Sequence, residues 1–160
     1  MGVIPPNLFV DFIVARFAAT DRGIGEELAV RLVTVTLSHP YGTQELGYFL
    51  WEEVPEGFSA SQTDLEKALH DVLRSENAHF QLIWERASRT QRLVLLALAA
   101  EPGFILGQDY RTRHQLAANP STNQKALMAL VEDELIARDD TEGYAITESF
   151  LAEWLLANET

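Results

Sequence analysis

The sequence predicts a mainly α-helical protein with one small β-hairpin close to its C-terminus. Apolar residues recur at the three- and four-residue spacing of amphipathic helices along most of the chain. Near residue 140 the pattern changes: two short strand-like segments, Ile136–Asp139 and Tyr144–Ile146, flank a polar loop that contains Gly143. With 160 residues, 47% of them hydrophobic, the chain suits one domain of ordinary size or two small ones.

The first half of the chain predicts a bundle of helices. Pro40 fits the first turn of one helix, with Ser38 or His39 near its cap, and Thr63–Glu66 reads as a capping box that opens another. The β-branched run Val33–Thr36 leaves a strand as the alternative there. The predicted helices cover about residues 8–17, 26–37, 40–54, 63–73 and 77–87.

The second half predicts three helices, a hairpin and a last helix. Ser88–Gln91 is a capping box, and Asn119-Pro120 is an N-cap followed by a first-turn proline. Thr147-Glu148 predicts the cap of the last helix. The helix after Asn119 should bury one apolar face, formed by Ala126, Leu127, Leu130, Val131 and Leu135. This order is typical of a winged helix-turn-helix. We therefore predict a helical domain at residues 1–87 and a winged-helix domain at residues 88–160.

The segment Thr36–Gln44, followed by a helix that ends at Leu50–Glu52, resembles the helical lid of archaeal-type P-loop ATPases of the AAA/STAND group, which carry T-x-G-H-P-Y-x-x-Q before a Leu-Trp-Glu helix end. This resemblance implies that a nucleotide-facing motif lies at a helix start. The residues that it assigns to this motif are His39, Pro40, Tyr41 and Gln44. Ser38 departs from the family, which usually has Gly at that position.

The second half is similar to the C-terminal winged helix of the same ATPases. Trp84-Glu85 precedes a Ser-x-x-Gln-Arg helix start at Ser88, and Pro120-Ser121 opens the third helix. Phe150–Leu155 matches their closing Phe-Leu-x-x-Trp-Leu pattern, whereas Glu148-Ser149 stands where an Asp-Pro pair is common. The resemblance spans about Pro5 to Leu156 and implies a lid followed by a winged helix.

The catalytic part of such an ATPase is missing from the sequence. A Walker A loop needs Gly-Lys-Ser/Thr to cradle phosphates, and none of the nine glycines precedes a lysine. We expect no catalytic residues and no enzyme activity from this chain alone. It needs no cofactor by itself, because ATP and Mg²⁺ are implied only together with a P-loop domain supplied in cis or in trans.

The composition excludes several classes of functional site and of membrane segment. The chain has no cysteine, which excludes thiolate zinc sites and cysteine nucleophiles, and its four histidines lack metal-ligand spacing, so we predict no metal. No apolar run is long enough to cross a membrane, and the N-terminus lacks the pattern of a signal peptide. We expect a cytoplasmic protein.

Charge favours a protein partner over DNA. The net charge is −12, and the segment from Ser88 onward contains six basic and eleven acidic residues. Such a surface repels phosphates unless a local basic patch exists. The candidate patch for DNA consists of Arg111, Arg113, Ser121, Thr122, Asn123 and Lys125.

Three functions follow in order of preference. The first is the regulatory and interaction region of an AAA/STAND-type ATPase, whose lid senses nucleotide and whose winged helix engages a partner. The second is a stand-alone winged-helix regulator that binds DNA. The third is a protein-interaction adaptor that uses Tyr41, Tyr48 or Trp51 if these side chains are exposed.

Overall fold

The computed structural model describes residues 5–159 and confirms the predicted fold class: this part of the chain is mainly helical, with one two-stranded hairpin. The segment Val33–Thr36 belongs to the end of a helix and is not a strand. In chain order the elements are α1 (Pro6–Ala18), α2 (Glu26–Val35), α3 (Pro40–Glu53), α4 (Gln62–Ser75), α5 (Asn77–Arg86), α6 (Arg89–Ala100), α7 (Gln108–Arg113), α8 (Pro120–Glu132), β1 (Ile136–Asp139), β2 (Gly143–Ile146) and α9 (Leu151–Asn158).

The chain divides into two compact units between Glu76 and Asn77. The first unit contains α1 to α4, and the second contains α5 to α9 and the hairpin. This division precedes the boundary predicted near Ala87-Ser88, because α5 packs against α9. Phe80 of α5 is 1% exposed, and its ring centroid lies 5.8 Å from that of Trp154. Helix α5, which the sequence analysis placed in the first domain, therefore belongs to the second unit.

In the first unit α1 packs on α2, α3 packs on α4, and α2 contacts α3. A buried pair of hydroxyl groups links the end of α2 to α3: the oxygens of Thr36 and Thr43 lie 2.6 Å apart. Thr36 also contacts the backbone carbonyls of Leu32 and Val33, at 3.2 Å and 3.0 Å. These polar side chains are tolerated in the core because they are hydrogen-bonded.

In the second unit α6 is the central helix and contacts α8, α9 and β2. The hairpin is antiparallel, with Ile136 opposite Ile146 and Asp139 opposite Gly143. Gly103 adds one further pairing, because it exchanges two backbone hydrogen bonds of 2.9 Å and 2.8 Å with Tyr144. Gly143 has φ +89°, and a β-carbon there would overlap the backbone of Gly103. This turn therefore requires glycine.

Two predicted helix starts are confirmed. Ser88 and Gln91 form a reciprocal capping box at α6, and the Asn119 side chain caps α8 ahead of Pro120. In each case a short polar side chain accepts a hydrogen bond from an amide that has no partner within the helix.

Two other predicted caps are wrong. The capping box of α4 is formed by Ser61 and Asp64, so the helix starts earlier than the segment Thr63–Glu66 predicted. Helix α9 has no side-chain cap: it follows Phe150 at φ +68°, while the Thr147 hydroxyl donates to the Glu134 carbonyl at 3.3 Å. A nearby carbonyl thus competes for the hydroxyl that the sequence pattern assigned to the cap.

Four helix C-termini end in a left-handed residue that is not glycine. These residues are Asp21, Leu37, Gln115 and Glu134, with φ between +54° and +62°. After each one, the next amide donates to the carbonyl five residues earlier, at 2.9 Å to 3.0 Å. This is the Schellman arrangement, which usually has glycine at the left-handed position.

Candidate functional site

The second unit contains a helix-turn-helix made by α7 and α8. Leu116 is buried in the turn, directly after the left-handed residue Gln115. Helix α8 begins where the Asn119 side-chain oxygen accepts hydrogen bonds from the backbone amide and the hydroxyl of Ser121, at 3.0 Å and 2.9 Å. Local capping therefore fixes the N-terminal end of α8, the end at which recognition helices usually approach DNA.

The two arginines of the predicted DNA patch are engaged within the unit. Arg111 is half-buried and donates to the backbone carbonyl of Ala118. Arg113 forms a 2.7 Å ion pair with Glu101, whose other carboxylate oxygen lies 2.6 Å from His114. Hydrogen bonds from His114 and then from Arg113 hold the pKa of Glu101 below its ordinary value. Glu101 therefore stays ionised and offsets the positive charge of α7.

Asn123 is also unavailable at the surface. Its side chain is 0% exposed, and its amide donates to the carbonyl of Ala117 at 2.8 Å. This side chain fastens the turn between α7 and α8. Reading a base edge would require the same amide to face solvent.

The other three residues of the predicted patch lie together. Ser121, Thr122 and Lys125 line a concave surface of about 360 Å³ at which the N-terminal ends of α6 and α8 meet. Helix α6 contributes Ser88, Thr90 and Gln91 to the same concavity. Lys125 is the one cation on α8.

The outer face of α8 becomes apolar beyond Lys125. Met128 is 65% exposed and Val131 is 42% exposed. The exposure of Val131 corrects the prediction, which placed it on the buried face. Val131 fits the helical spacing of the predicted apolar stripe. Of the stripe residues, Leu127 and Leu130 are buried in the core, whereas Val131 remains at the surface. The sequence did not single out Met128 and Val131 as an exposed apolar pair. The signal that could have indicated this pair is that Met128 is apolar but lies outside the predicted stripe.

The tip of the hairpin is acidic. Asp139, Asp140 and Glu142 are exposed, and Arg138 is the one cation in the stretch between Ile136 and Ile146. The Asp139 carboxylate accepts hydrogen bonds from the amides of Thr141 and Glu142, at 2.7 Å and 3.0 Å. These bonds lower the pKa of Asp139, so the turn is built around a fixed negative charge.

In the first unit, the predicted nucleotide-facing motif lies at the start of α3. His39 is the N-cap residue without a side-chain capping bond, Pro40 is the first helical residue, and Tyr41 is 68% exposed. Gln44 is exposed one turn further on. Ser38 has φ +56°, the left-handed conformation that glycine adopts most easily.

The adaptor hypothesis named three aromatic residues. Tyr41 and Tyr48 are exposed, at 68% and 57%, and Trp51 is half-buried. Tyr48 stacks on Trp51 and donates to Glu52 at 2.7 Å. The exposure that the hypothesis required is therefore present at the two tyrosines.

Three helices in the order α6, α7 and α8, followed by a hairpin and closed by α9, define a winged helix-turn-helix protein. Residues 78–157 match a protein-family model described as a probable winged helix domain, and the chain belongs to this family. Neither a curated protein nor a solved structure matched the chain. Within residues 5–159 there is no group of three or more acidic or histidine side chains suited to holding a metal ion, and none of the helices there is long and apolar enough to cross a bilayer.

Proposed function

We propose that the winged helix engages a protein partner through the outer face of α8, which is formed by Gln124, Met128, Val131 and Glu132. The observation that carries the proposal is the chemistry of this face. Its two central side chains are apolar and exposed, and exposed apolar side chains favour contact with another protein surface. A DNA-reading helix would present hydrogen-bond donors there instead.

Electrostatics supports the same choice. Binding to DNA depends on Lys and Arg side chains that neutralise phosphates. Arg113 is paired with Glu101, Arg111 is bonded to a carbonyl, and α8 contributes Lys125 alone. The hairpin tip, which would approach the phosphate backbone, has three exposed carboxylates. The surface therefore suits a partner that is apolar at its centre and basic at its rim.

Fluorescence anisotropy with a random duplex of about 30 base pairs tests this proposal against DNA binding. We expect a Kd weaker than about 100 µM at about 0.2 M salt, the weak end of non-specific binding. Micromolar binding that falls steeply with salt would contradict the proposal.

DNA binding is the second candidate function, favoured by the polar concavity between the starts of α6 and α8. Hydroxyl groups, helix N-terminal amides and Lys125 together suit one phosphate. Under this alternative Lys125→Gln should weaken DNA binding and reduce the salt slope by about 1. The matched substitution Arg31→Gln, in the first unit, should leave binding unchanged.

We also propose that the first unit is a lid that works with a P-loop domain of the AAA/STAND type, supplied in cis or in trans. Its support is the Thr36–Gln44 resemblance together with the left-handed Ser38 and the exposed Tyr41 at the start of α3. A helix N-terminus attracts anions, and an exposed aromatic ring offers a face to a base. On this proposal the chain alone is not an enzyme, and ATP and Mg²⁺ belong to the P-loop partner.

The mass and the co-purifying partners of the native protein test the lid proposal. If the P-loop domain is supplied in cis, mass spectrometry of the intact protein from its source cells should give a mass well above 17.9 kDa and should detect P-loop peptides. If it is supplied in trans, a separate P-loop protein should co-purify with the chain. Tyr41→Ala should then weaken nucleotide affinity of the assembly, while the exposed control Phe58→Ala should not. Equal nucleotide affinities for the unsubstituted chain and both variants would contradict the lid role.

A further inference from the structure

The first unit contains an open groove between α1 and α3. Its volume is about 790 Å³, which is within the range of small-molecule sites in proteins. The lining residues are mostly apolar and aromatic. They include Phe12 and Arg16 from α1, Thr20 just after it, and Thr43, Tyr48 and Trp51 from α3.

The aromatic wall of the groove is held in place by contacts within the first unit. Trp51 donates its indole N–H to the Thr20 hydroxyl at 2.8 Å, and the Arg22 guanidinium lies 4.2 Å from its ring centroid. Tyr48 stacks on Trp51 with centroids 6.2 Å apart and an angle of 23°. Because these rings are already oriented, a ligand would meet a formed surface and would lose little free energy in ordering it.

Arg16 is the one cation in the lining, and the lining contains no Asp or Glu. Its guanidinium lies 5.7 Å from the centroid of the Phe12 ring and forms no ion pair within residues 5–159. The two threonine hydroxyls of the lining are already bonded: Thr20 donates to Phe17 at 3.1 Å, and Thr43 contacts Thr36. Arg16 is thus an uncompensated positive charge at an apolar groove, in a chain with net charge −12.

We propose that this groove binds a small organic anion with an apolar, ring-containing body. The body would lie against Phe12, Tyr48 and Trp51, while the carboxylate, sulfonate or phosphate of the ligand would pair with Arg16. Charge complementarity selects an anion, because a cation would meet an unpaired guanidinium. The inference concerns the α1–α3 groove and does not depend on the partner of α8.

Gly47 provides a way to fill the groove without disturbing the fold. It lines the groove from the middle of α3, and a β-carbon built there meets no atom within 4 Å. A side chain can therefore begin at this position without a clash of its β-carbon, and a leucine there would occupy part of the groove. Since leucine is also a better helix former than glycine, Gly47→Leu should keep or raise the thermal stability of the chain.

Titration of the full chain with two fluorescent probes tests the inference. The anionic probe is 8-anilinonaphthalene-1-sulfonate, and its uncharged counterpart is N-phenyl-1-naphthylamine. Gly47→Leu should weaken the binding of both probes at least about tenfold. Arg16→Gln should weaken binding of the sulfonate by about threefold to fivefold, as for a partly exposed charge pair, and leave the uncharged probe within about twofold. Arg31→Gln, an exposed substitution on α2, should change neither.

Amide NMR spectra of the full chain locate the bound probe. Shifts should concentrate in α1 and α3, including the Trp51 indole N–H. Unchanged affinities in a folded Gly47→Leu chain, or shifts confined to the second unit, would overturn the site. Equal losses of both probes in Arg16→Gln would overturn the assignment of the ligand as an anion.

Discussion

The indole N–H of Trp154 donates a 2.9 Å hydrogen bond to the side-chain oxygen of Asn77. This bond joins the last helix of the second unit, α9, to its first helix, α5. Phe80 lies against the same indole and is almost fully buried. The first and last helices thus close the winged helix together, in agreement with a family match that begins at residue 78.

Removing the Asn77 side chain should destabilise the second unit. Asn77→Ala leaves the buried indole N–H of Trp154 without its partner, which costs about 1 to 3 kcal/mol. Urea denaturation of the full chain measures the change. Gln81→Ala, an exposed substitution on the same helix, is the control and should stay within about 0.5 kcal/mol. Equal effects of the two substitutions would show that the bond contributes no stability.

The hairpin turn should not tolerate a side chain at Gly143. The residue combines a positive φ with close contact to the Gly103 backbone, so Gly143→Ala should cost more than about 2 kcal/mol through strain and overlap. Gly47→Ala is the matched control, because it lies in a helix with open space. It should stabilise the chain by about 0.5 to 1 kcal/mol. Thermal unfolding of both variants gives the sign of each change in stability. The same sign for both variants would contradict the prediction.

The two glutamates at the end of α8 should respond to glycine in opposite ways. Glu134 is exposed and left-handed, so Glu134→Gly should stabilise the chain by about 1 kcal/mol. Glu132 is the last helical residue, and Glu132→Gly should destabilise the chain by about 0.5 to 1 kcal/mol. Denaturant titration of both variants is the measurement. A loss of stability in both would be inconsistent with the Schellman arrangement.

The carboxyl group of Glu45 should make the first unit sensitive to pH. Burial raises its pKa to about 7, and the nearby Glu76 carboxyl adds to the effect. Because the folded pKa exceeds the ordinary value of 4.5, the folded state binds the proton more tightly. The resulting stability is present below pH 4.5 and is lost as pH rises through about 7.

Glu45→Gln should therefore stabilise the chain at about pH 8 and have a smaller effect at about pH 5.5. Urea denaturation at the two pH values measures this difference, with the exposed substitution Glu56→Gln as control. An NMR titration of the Glu45 side chain gives the pKa directly. A value near the ordinary 4.5 would exclude the proposed burial effect.

Local signals were predictable from the sequence where a short-range hydrogen bond or a steric constraint dominates. The Ser88 capping box and the Asn119-Pro120 helix start depend on residues within one turn of each other. The place of α5 was not predictable, because it depends on the contact between Asn77 and Trp154, far apart in the chain. The internal use of Arg113 likewise depends on Glu101, which lies on a different element.

The helix ends show a second limit. Glycine is the usual sign of a left-handed C-terminus, but Leu37 and Gln115 adopt that conformation without it. Their strain is offset by the backbone bonds that close each helix. Residue type alone therefore did not predict the left-handed conformation of these two residues.

Site-specific photocrosslinking at position 128 tests whether the outer face of α8 engages a protein partner. A benzophenone amino acid would replace Met128 in the full chain inside its source cells, with the same substitution at the exposed Glu66 of α4 as control. We predict a covalent adduct at position 128 that resists nuclease and contains peptides of one protein, with that protein also binding the purified chain and losing about tenfold affinity on Val131→Lys. A nuclease-sensitive adduct at position 128 would contradict a protein partner and would assign the α8 face to DNA.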